Sequence, residues 1–214
     1  IDMEDSFKKI KKMYEDAYTK YGDSPSSLLT PKGKNEIRFE ALTPFLKNGK
    51  SILDYGCGLG YLLPFIESKS REINYHGVDI IPDFIKANKL KYPNAKFSEI
   101  TETEDFKQTY DIVFSSGVFN LKSYEDDSAS KSYAFEKIKH LFEITNEVFV
   151  CDFLSKFVDF EQEGAQHFSI DEISSFCSKN LSKRFQIRHD VLPYEFTLVA
   201  WKEDKIKRPE NYFA

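Results

Sequence analysis

The sequence predicts an α/β fold: a doubly wound, mostly parallel sheet of seven strands, with helices on both faces and an antiparallel hairpin at its C-terminal end. Short apolar segments alternate with helical stretches, an order that is typical of parallel sheets. The strand segments are 51–56, 73–79, 96–100, 110–116 and 146–152, and the helical stretches begin at 61, 82 and 130. Segments 185–191 and 195–202 follow each other across a short turn at Pro193, so they must pair as a hairpin.

Two helices are expected before the first strand. The first is predicted by an apolar stripe at steps of three and four residues, which ends at Gly22. The stripe consists of Phe7, Ile10, Tyr14, Ala17, Tyr18 and Tyr21. The second helix is predicted to begin near Pro31 and to end at Gly49, with Ile37, Leu42 and Phe45 directed inward. We therefore divide the chain into an N-terminal helical lid, residues 1–48, and a core, residues 49–214.

The composition favours one domain that acts on small molecules. The chain has 214 residues, of which 41% are hydrophobic and 15% aromatic, enough for a single large core. Thirty basic residues against 35 acidic residues give a net charge of -5. This balance disfavours a nucleic-acid partner, because proteins that bind nucleic acid neutralise a phosphate backbone. No apolar run reaches the length of a membrane span, so no membrane partner is expected.

Cysteine usage favours a reducing compartment. Cys57, Cys151 and Cys177 are an odd number without C-x-x-C spacing, and no basic-then-apolar leader precedes them. We therefore expect a cytoplasmic protein, either a monomer or a homodimer. Cys57 lies between two glycines, where a small side chain packs beneath a turn, and we interpret its thiol as structural rather than catalytic.

The most informative segment is Ser51–Gly60, in which an apolar strand runs into glycines at 56, 58 and 60. Because glycine lacks a β-carbon, such a turn tolerates positive φ angles and lets a ligand approach the backbone closely. The spacing is G-x-G-x-G, whereas the turn that carries a dinucleotide pyrophosphate has G-x-G-x-x-G. The alternative interpretation is a tight strand-to-helix turn without a ligand.

A carboxylate is expected beside this turn. Segment 73–80 is predicted to be a second strand, and it carries Asp79 near its end, about twenty residues after the glycines, where a ribose-binding acid belongs. Carboxylate oxygens only accept hydrogen bonds, so they suit both hydroxyls of a ribose. The alternative is that Asp79 caps the helix that begins near Pro82.

These residues resemble the class I S-adenosylmethionine-dependent methyltransferases, a family with a Rossmann-like fold. Ile52–Tyr61 resembles the first motif of the family, and the segment that ends at Asp79 resembles the second. Tyr110–Phe119 resembles the family's motif of the fourth strand. The resemblance implies S-adenosyl-L-methionine as cofactor and S-adenosyl-L-homocysteine as product. Asp54 agrees with this ligand better than with NAD, because a carboxylate attracts the ammonium group of the methionine portion and repels a pyrophosphate.

The resemblance also implies a set of cofactor-binding residues. Asp54 and the glycines would hold the methionine portion, and Asp79 would hold the ribose. The adenine would lie against Ile80, Glu99 and Ile100, and Ser116 and Gly117 would line the sulfonium side. Arg38 is expected to pair with the carboxylate of the cofactor, with a surface ion pair as the alternative. The full set is Arg38, Asp54, Gly56, Cys57, Gly58, Gly60, Tyr61, Asp79, Ile80, Glu99, Ile100, Ser116 and Gly117.

The methyl acceptor is expected beyond the fourth and fifth strands, between long loops at 122–130 and 155–168. A hydroxyl acceptor needs a base, and His167 is the first candidate because histidine titrates near neutrality. Asp152 is the second candidate. The alternative for His167 is a loop histidine without a catalytic role. The alternative for Asp152 is an acid that caps a helix or hydrogen-bonds to a loop. The expected acceptor-binding residues are Tyr18, Tyr21, Phe119 and Asn120, with core packing as the alternative for the tyrosines.

The C-terminal segments 180–185, 189–190 and 194–197 are similar to a bacterial branch that accompanies surface-polysaccharide and natural-product genes. This similarity favours a small polar acceptor, such as a hydroxyl of a sugar- or nucleotide-linked metabolite, with oxygen preferred over nitrogen. No trio of acids has the spacing of a magnesium site, so no metal is expected. Two other classes stay open: a non-catalytic module that binds adenosylmethionine, and a nicotinamide-dependent oxidoreductase, which the glycine spacing and Asp54 disfavour.

Overall fold

One sheet organises the chain. The computed structural model describes residues 3–30, 35–69, 72–102 and 106–202. Its strands are β1 Ser51–Tyr55, β2 Asn74–Asp79, β3 Lys96–Glu99, β4 Tyr110–Ser115, β5 Thr145–Ser155, β6 His167–Phe168, β7 Phe185–Arg188 and β8 Glu195–Trp201. The strand order is β3-β2-β1-β4-β5-β8-β7, and β6 pairs only with the end of β5. All pairs are parallel except β5 with β8 and β7 with β8.

Helices cover both faces of this sheet. They are α1 Met3–Tyr21, α2 Asn35–Phe39, α3 Leu62–Lys69, α4 Pro82–Lys91, α5 Asp127–Glu143 and α6 Ile170–Asn180, with short 3₁₀ helices at Pro25–Leu28 and Glu40–Phe45. Ile138 of α5 and Ile173 of α6 are buried in the core on one face. Leu62 of α3 and Phe39 of α2 belong to the core on the other face. None of the helices in the described ranges is both long and apolar enough to cross a bilayer.

This architecture confirms the predicted α/β fold, including the antiparallel C-terminal hairpin. The register also explains where a ligand fits. Tyr55 at the end of β1 pairs with Val78 of β2 and with Ser115 of β4, so three parallel strands end at one edge of the sheet. The chain leaves the sheet there in three neighbouring turns, and open α/β sheets bind ligands at such an edge.

Two elements were not expected from the strand pattern. β6 and α6 lie in the segment between β5 and the hairpin, and β5 itself continues to Ser155 because its last residues pair with β6 and β8. The start of α5 also differs. It begins at Asp127 rather than 130, because the Asp126 side chain accepts the N–H of Ala129 at 2.7 Å and caps the helix.

The N-terminal segment matches the prediction in part. The first helix ends at Gly22, which has a φ of 61°. Instead of one second helix, the chain forms α2 and a 3₁₀ helix, and the expected start at Pro31 lies outside the described residues. Ile37 is 40% exposed rather than directed inward, because Arg38 and Phe39 occupy the interior face. The division of the chain at residue 48 stays a prediction.

The capping box of α6 should stabilise the fold measurably. The Ser169 hydroxyl accepts the N–H of Glu172 at 3.0 Å, and the Glu172 carboxylate accepts the N–H of Ser169 at 3.1 Å. We expect Ser169→Ala to lower the free energy of unfolding by about 1 kcal/mol, because an N–H at the helix start loses its partner. Urea denaturation measures this loss. Ser175→Ala, on the exposed side of the same helix, serves as the control, and equal effects of the two substitutions would contradict the capping role.

Candidate functional site

A cavity of about 230 Å³ lies at the carboxyl ends of β1, β2 and β4. The turns after these strands form one wall, and side chains of α1 form part of the wall that encloses it. Most of the lining is apolar, yet the carboxyl groups of Asp54 and Asp79 both border the space. An apolar pocket with a few convergent polar groups is the usual form of a small-molecule site.

The glycine turn after β1 adopts the positive φ angles that its glycines allow. Gly56, Gly58 and Gly60 have φ angles of 77°, 52° and 72°, all in the left-handed region. Packing imposes a second requirement at the first of them. A β-carbon on Gly56 would lie 2.2 Å from Cγ2 of Val118, in the turn after β4, so the Val118 side chain can pack this closely on the glycine turn only with glycine at position 56.

Side chains of α4 fix the glycine turn from behind. Asn88 donates from Nδ2 to the carbonyl of Gly58 at 2.7 Å, and Lys91 donates from Nζ to the carbonyl of Leu59 at 2.8 Å. Asn88 is completely buried. Because these carbonyls are held from the α4 side, the turn keeps one conformation without any contribution from a ligand.

Asp79 connects the glycine turn to the start of α4. Its Oδ2 accepts the N–H of Gly58 at 2.8 Å, and its Oδ1 accepts the N–H of Ile81 at 2.9 Å. Burial raises the pKa of Asp79 to about 6, although these backbone hydrogen bonds favour the ionised form. Each carboxylate oxygen has a further lone pair, so the group can hold the turn and still accept hydrogen bonds from a ligand. The two sequence interpretations, ligand acceptor and helix support, are therefore compatible.

Asp54 is the second buried carboxyl group at the cavity. It lies in β1, is 4% exposed, and accepts the phenol hydroxyl of Tyr75 at 2.7 Å. Burial raises the pKa of Asp54 to about 7, and the nearby Asp79 contributes in the same direction. Within the described part of the chain, no cationic side chain hydrogen-bonds to Asp54, so a cationic ligand group placed beside it would favour ionisation.

The turn after β4 is held by an acid of the neighbouring strand. Asp152 of β5 accepts the N–H of Gly117 at 2.7 Å and also accepts the hydroxyl of Ser116. Ser116 and Gly117 border the cavity, whereas Asp152 is 3% exposed and lies behind them. Burial raises the pKa of Asp152 to about 6. Both oxygens of this acid are therefore used to position the turn.

Aromatic contacts hold α1 over the cavity. The ring of Phe7 meets that of Tyr133 on α5 at 5.2 Å between centroids, and the ring of Tyr14 meets that of Phe84 on α4 at 6.1 Å. Burial raises the pKa of Tyr14 to about 12, so its phenol stays neutral. The position of α1 over the cavity thus depends on aromatic packing against both α5 and α4.

The cavity brings together most of the residues expected from the sequence. Those that border it are Arg38, Asp54, Gly56, Cys57, Gly58, Tyr61, Asp79, Ile80, Ile100, Ser116, Gly117, Phe119 and Asn120. Their assignment to cofactor or acceptor stays a prediction. Those that do not border it are Tyr18, Tyr21, Gly60, Glu99, Asp152 and His167. Among the described residues, no cluster of His, Cys, Asp and Glu is arranged to hold a metal ion.

Four of the outlying residues have other surroundings. Gly60 faces Asn88, whose Oδ1 would be 3.0 Å from a β-carbon at that glycine, so it contributes to packing against α4. Glu99 ends β3 with an exposed side chain. Tyr21 is 47% exposed, and the Tyr18 ring packs on Phe84 at 5.7 Å, so neither tyrosine closes over the cavity as expected.

His167 is not at the cavity, in contrast to its expected position as a base. It lies in β6, is 6% exposed, and its Nδ1 is 2.7 Å from the carbonyl oxygen of Ser155. This ring nitrogen therefore links the start of β6 to the end of β5. Asp152 lies behind the turn after β4, so neither of the two candidate bases borders the space where an acceptor would bind.

Arg38 borders the cavity but has a partner within the chain. Its guanidinium donates from Nε to Glu195 Oε2 at 2.7 Å and from Nη2 to the other oxygen of the same carboxylate. Both side chains are buried. This bidentate pair replaces the expected contact with the carboxylate of a ligand, because Glu195 occupies the edge of the guanidinium that suits a carboxylate.

Comparisons with known proteins agree with this geometry. Residues 53–141, which include the glycine turn, Asp79 and the turn after β4, match a family described as "Methyltransferase domain". Rv1506c, a Mycobacterium tuberculosis protein named provisionally as a methyltransferase, is 24% identical over 154 residues, 71% of this chain and 93% of its own length. These matches make residues 53–141 similar to a methyltransferase domain.

Solved structures show the same fold. The magnesium protoporphyrin IX methyltransferase of Synechocystis, with bound SAM, has a TM-score of 0.63 at 16% identity, over 90% of this chain and 97% of its own. The plantazolicin methyltransferase BpumL, in complex with SAH and a desmethyl analogue, has a TM-score of 0.60 at 15% identity, over 94% of this chain and 99% of its own. At 15–16% identity these likenesses concern the fold alone.

Sequence reasoning missed several residues that shape the candidate site. Asn88 and Lys91 hold the glycine turn, Tyr75 holds Asp54, and Val118 packs on Gly56. The signal for Tyr75 was its place in the predicted second strand, in which every residue after Asn74 is buried. The others had none, because their contacts join segments that only the fold brings together.

The pKa of Asp54 gives a test of the site in the absence of any ligand. A carboxyl that ionises near pH 7 in the folded protein and near 3.8 in the unfolded chain takes up a proton on folding between these values. The free energy of unfolding should therefore fall as pH rises from about 4 to about 7, because the unfolded state ionises first. We expect Asp54→Asn to be more stable than the parent at pH 8, by about 4 kcal/mol, and equally stable at pH 4.

Urea denaturation at the two pH values measures this difference. Asp16→Asn is the matched control, since its side chain is 65% exposed and should leave the pH dependence unchanged. A parent and an Asp54→Asn variant with parallel pH profiles would show that the carboxyl ionises normally in the folded protein.

Proposed function

We propose that the chain transfers a methyl group from S-adenosyl-L-methionine to a small polar acceptor and releases S-adenosyl-L-homocysteine. The proposal rests on one observation above all: a bare glycine turn and two buried carboxyl groups, Asp54 and Asp79, border the same cavity. A cytoplasmic location and a monomeric or dimeric state belong to the same proposal, and the three free, buried cysteines support the location.

The residues at the cavity fit adenosylmethionine in charge and shape. Asp54 suits the ammonium group of the methionine portion, and the unused lone pairs of Asp79 suit the ribose hydroxyls. Ile80 and Ile100 offer apolar surfaces to an adenine ring. Two carboxyl groups on one wall would repel a pyrophosphate, which favours a nucleoside ligand without phosphate over a nicotinamide dinucleotide. SAM or SAH in the two solved relatives supports the same choice.

The contribution of the chain to methyl transfer is orientation and exclusion of water. Bound adenosylmethionine supplies a methyl group on a cationic sulfur. Asp54 would hold the ammonium group of this ligand and Asp79 its ribose, and Ser116 and Gly117 would line the side from which the acceptor approaches. Phe7 and Tyr14 of α1 shield the space from solvent. An in-line displacement gains most from such alignment of the reacting atoms.

The acceptor is proposed to present a polar nucleophile, with a hydroxyl of a sugar- or nucleotide-linked metabolite as the first choice and nitrogen as the alternative. Asn120 supports a polar group at this position. It borders the cavity, and its buried Oδ1 has no hydrogen-bond partner among the described residues. An acceptor that donates an N–H or O–H would satisfy this oxygen. Phe119 and Leu121 beside it suit an apolar part of the same molecule.

Methyl transfer is tested with adenosylmethionine carrying a labelled methyl group and a panel of hydroxyl and amine metabolites. The labelled product identifies the acceptor class and the atom that receives the methyl group. Calorimetric titration with S-adenosylhomocysteine, run in parallel, measures binding. Binding without turnover on a broad panel would favour a non-catalytic module, and tight NAD binding without affinity for either sulfur nucleoside would favour an oxidoreductase.

Asp79→Ala gives a sharper test of the cofactor assignment. Removing a carboxylate that accepts two hydroxyls should weaken S-adenosylhomocysteine binding by about 2 to 4 kcal/mol, a factor of about 30 to 1,000 in Kd. Calorimetry measures Kd for the folded variant. Asp83→Ala is the control, because this acid lies four positions later, in the first turn of α4, and is exposed. A variant with the parent Kd would remove Asp79 from the ligand site.

A further inference from the structure

The turn after β4 depends on side-chain hydrogen bonds for its position. β4 ends at Ser115, and Ser116 and Gly117 follow it along the cavity wall. Gly117 has a φ of 73°, so the chain reverses direction immediately after the strand. Within the described residues, the Ser116 hydroxyl and the Gly117 N–H both donate to Asp152, and these two bonds tie the turn to β5.

We propose that Asp152 is a positioning residue for the cofactor site. Its two hydrogen bonds fix the segment that follows β4, and that segment holds the glycine turn after β1 in place. The inference rests on the proposed function, because it concerns the grip on the sulfur nucleoside. It assigns Asp152 a role different from the base that the sequence suggested. The carboxylate is buried behind the wall, so it acts on the ligand only through Ser116 and Gly117.

The link between the two turns is a direct packing contact. Val118 follows Gly117, and its Cγ2 lies 2.2 Å from the place where a β-carbon of Gly56 would be. A displacement of the β4 turn therefore changes the surface on which Gly56 rests. Cores and turns packed this closely do not deform freely, so the displacement should reach the glycine turn.

Charged groups on two further elements surround Asp152. Arg38 of α2 lies close enough to favour its ionised form, whereas Glu195 of β8, the partner of that arginine, opposes it. The Ser116 hydroxyl and the Gly117 N–H also favour ionisation. The carboxylate form is the one that can accept both bonds, because a protonated carboxyl loses one acceptor position. Burial raises the pKa to about 6, so the charged form dominates at pH 8.

Calorimetric titration with S-adenosylhomocysteine at pH 8 tests the proposal. We expect Asp152→Ala to raise Kd about ten-fold or more, because the turn loses both hydrogen bonds. Asp152→Asn keeps the side-chain volume and one acceptor, and we expect a smaller rise. It also replaces the alanine variant should that protein not fold. Asp190→Asn is the control, since this acid of the hairpin connection is 63% exposed.

A double-mutant comparison separates positioning from general destabilisation. Ser116→Ala should raise Kd in the parent and add little in the Asp152→Ala background, because the bond is already lost there. Equal effects of Ser116→Ala in both backgrounds would contradict the proposal. So would an Asp152→Ala variant that melts at a lower temperature yet keeps Kd within about two-fold of the parent, since a purely structural acid behaves that way.

Amide NMR of the protein without ligand provides an independent measurement. In Asp152→Ala, the resonances of Gly117 and Gly56 should shift, and that of Gly49, in the turn before β1, should not. Unchanged Gly117 and Gly56 resonances would overturn the proposal. A parent that fails to bind S-adenosylhomocysteine would overturn the proposed function instead, and the glycine resonances would still report whether Asp152 holds the two turns.

Discussion

The burial of carboxyl groups that have no hydrogen-bonded cation among the described residues is the constraint on which this site depends. Asp54, Asp79 and Asp152 lie on parallel strands β1, β2 and β5, and backbone N–H groups or hydroxyls donate to their oxygens. Dipolar donors compensate only part of the cost of burying a charge, and burial therefore raises all three pKa values. A site with this imbalance favours a ligand that brings positive charge and hydroxyl donors. The sulfur nucleoside proposed here brings both.

The glycine turn is prepared for such a ligand before the ligand arrives. Asn88 and Lys91 hold its carbonyl groups from α4, while Asp79 and the backbone of β2 accept its N–H groups. Because these partners are all in place within the chain, binding does not have to order the turn. Binding free energy is then available for contacts with the ligand itself, which is the general advantage of a preorganised site.

The parts that the sequence predicted well are those encoded by local pattern. Alternating strands and helices specified the sheet, and the glycine turn with Asp79 marked the edge where the cavity lies. α6 was missed although Ser169 and Glu172 form a capping box. Predictions failed most often where tertiary contacts decide the outcome. The sequence around His167 does not reveal that β6 pairs with β5, and nothing near Arg38 reveals its distant carboxylate partner.

The bidentate pair of Arg38 and Glu195 also has a consequence for the order in which parts of the chain fold. It joins residues 157 positions apart, so the wall of the cavity that contains Arg38 needs the last strand of the sheet. Contacts across such a long chain segment carry a large entropic cost and form late. During synthesis, a nascent chain that has not yet emerged past β7 already contains the whole glycine turn, but its Arg38 lacks the carboxylate partner that β8 supplies. Binding competence is therefore expected to arrive only when the C-terminal strand docks.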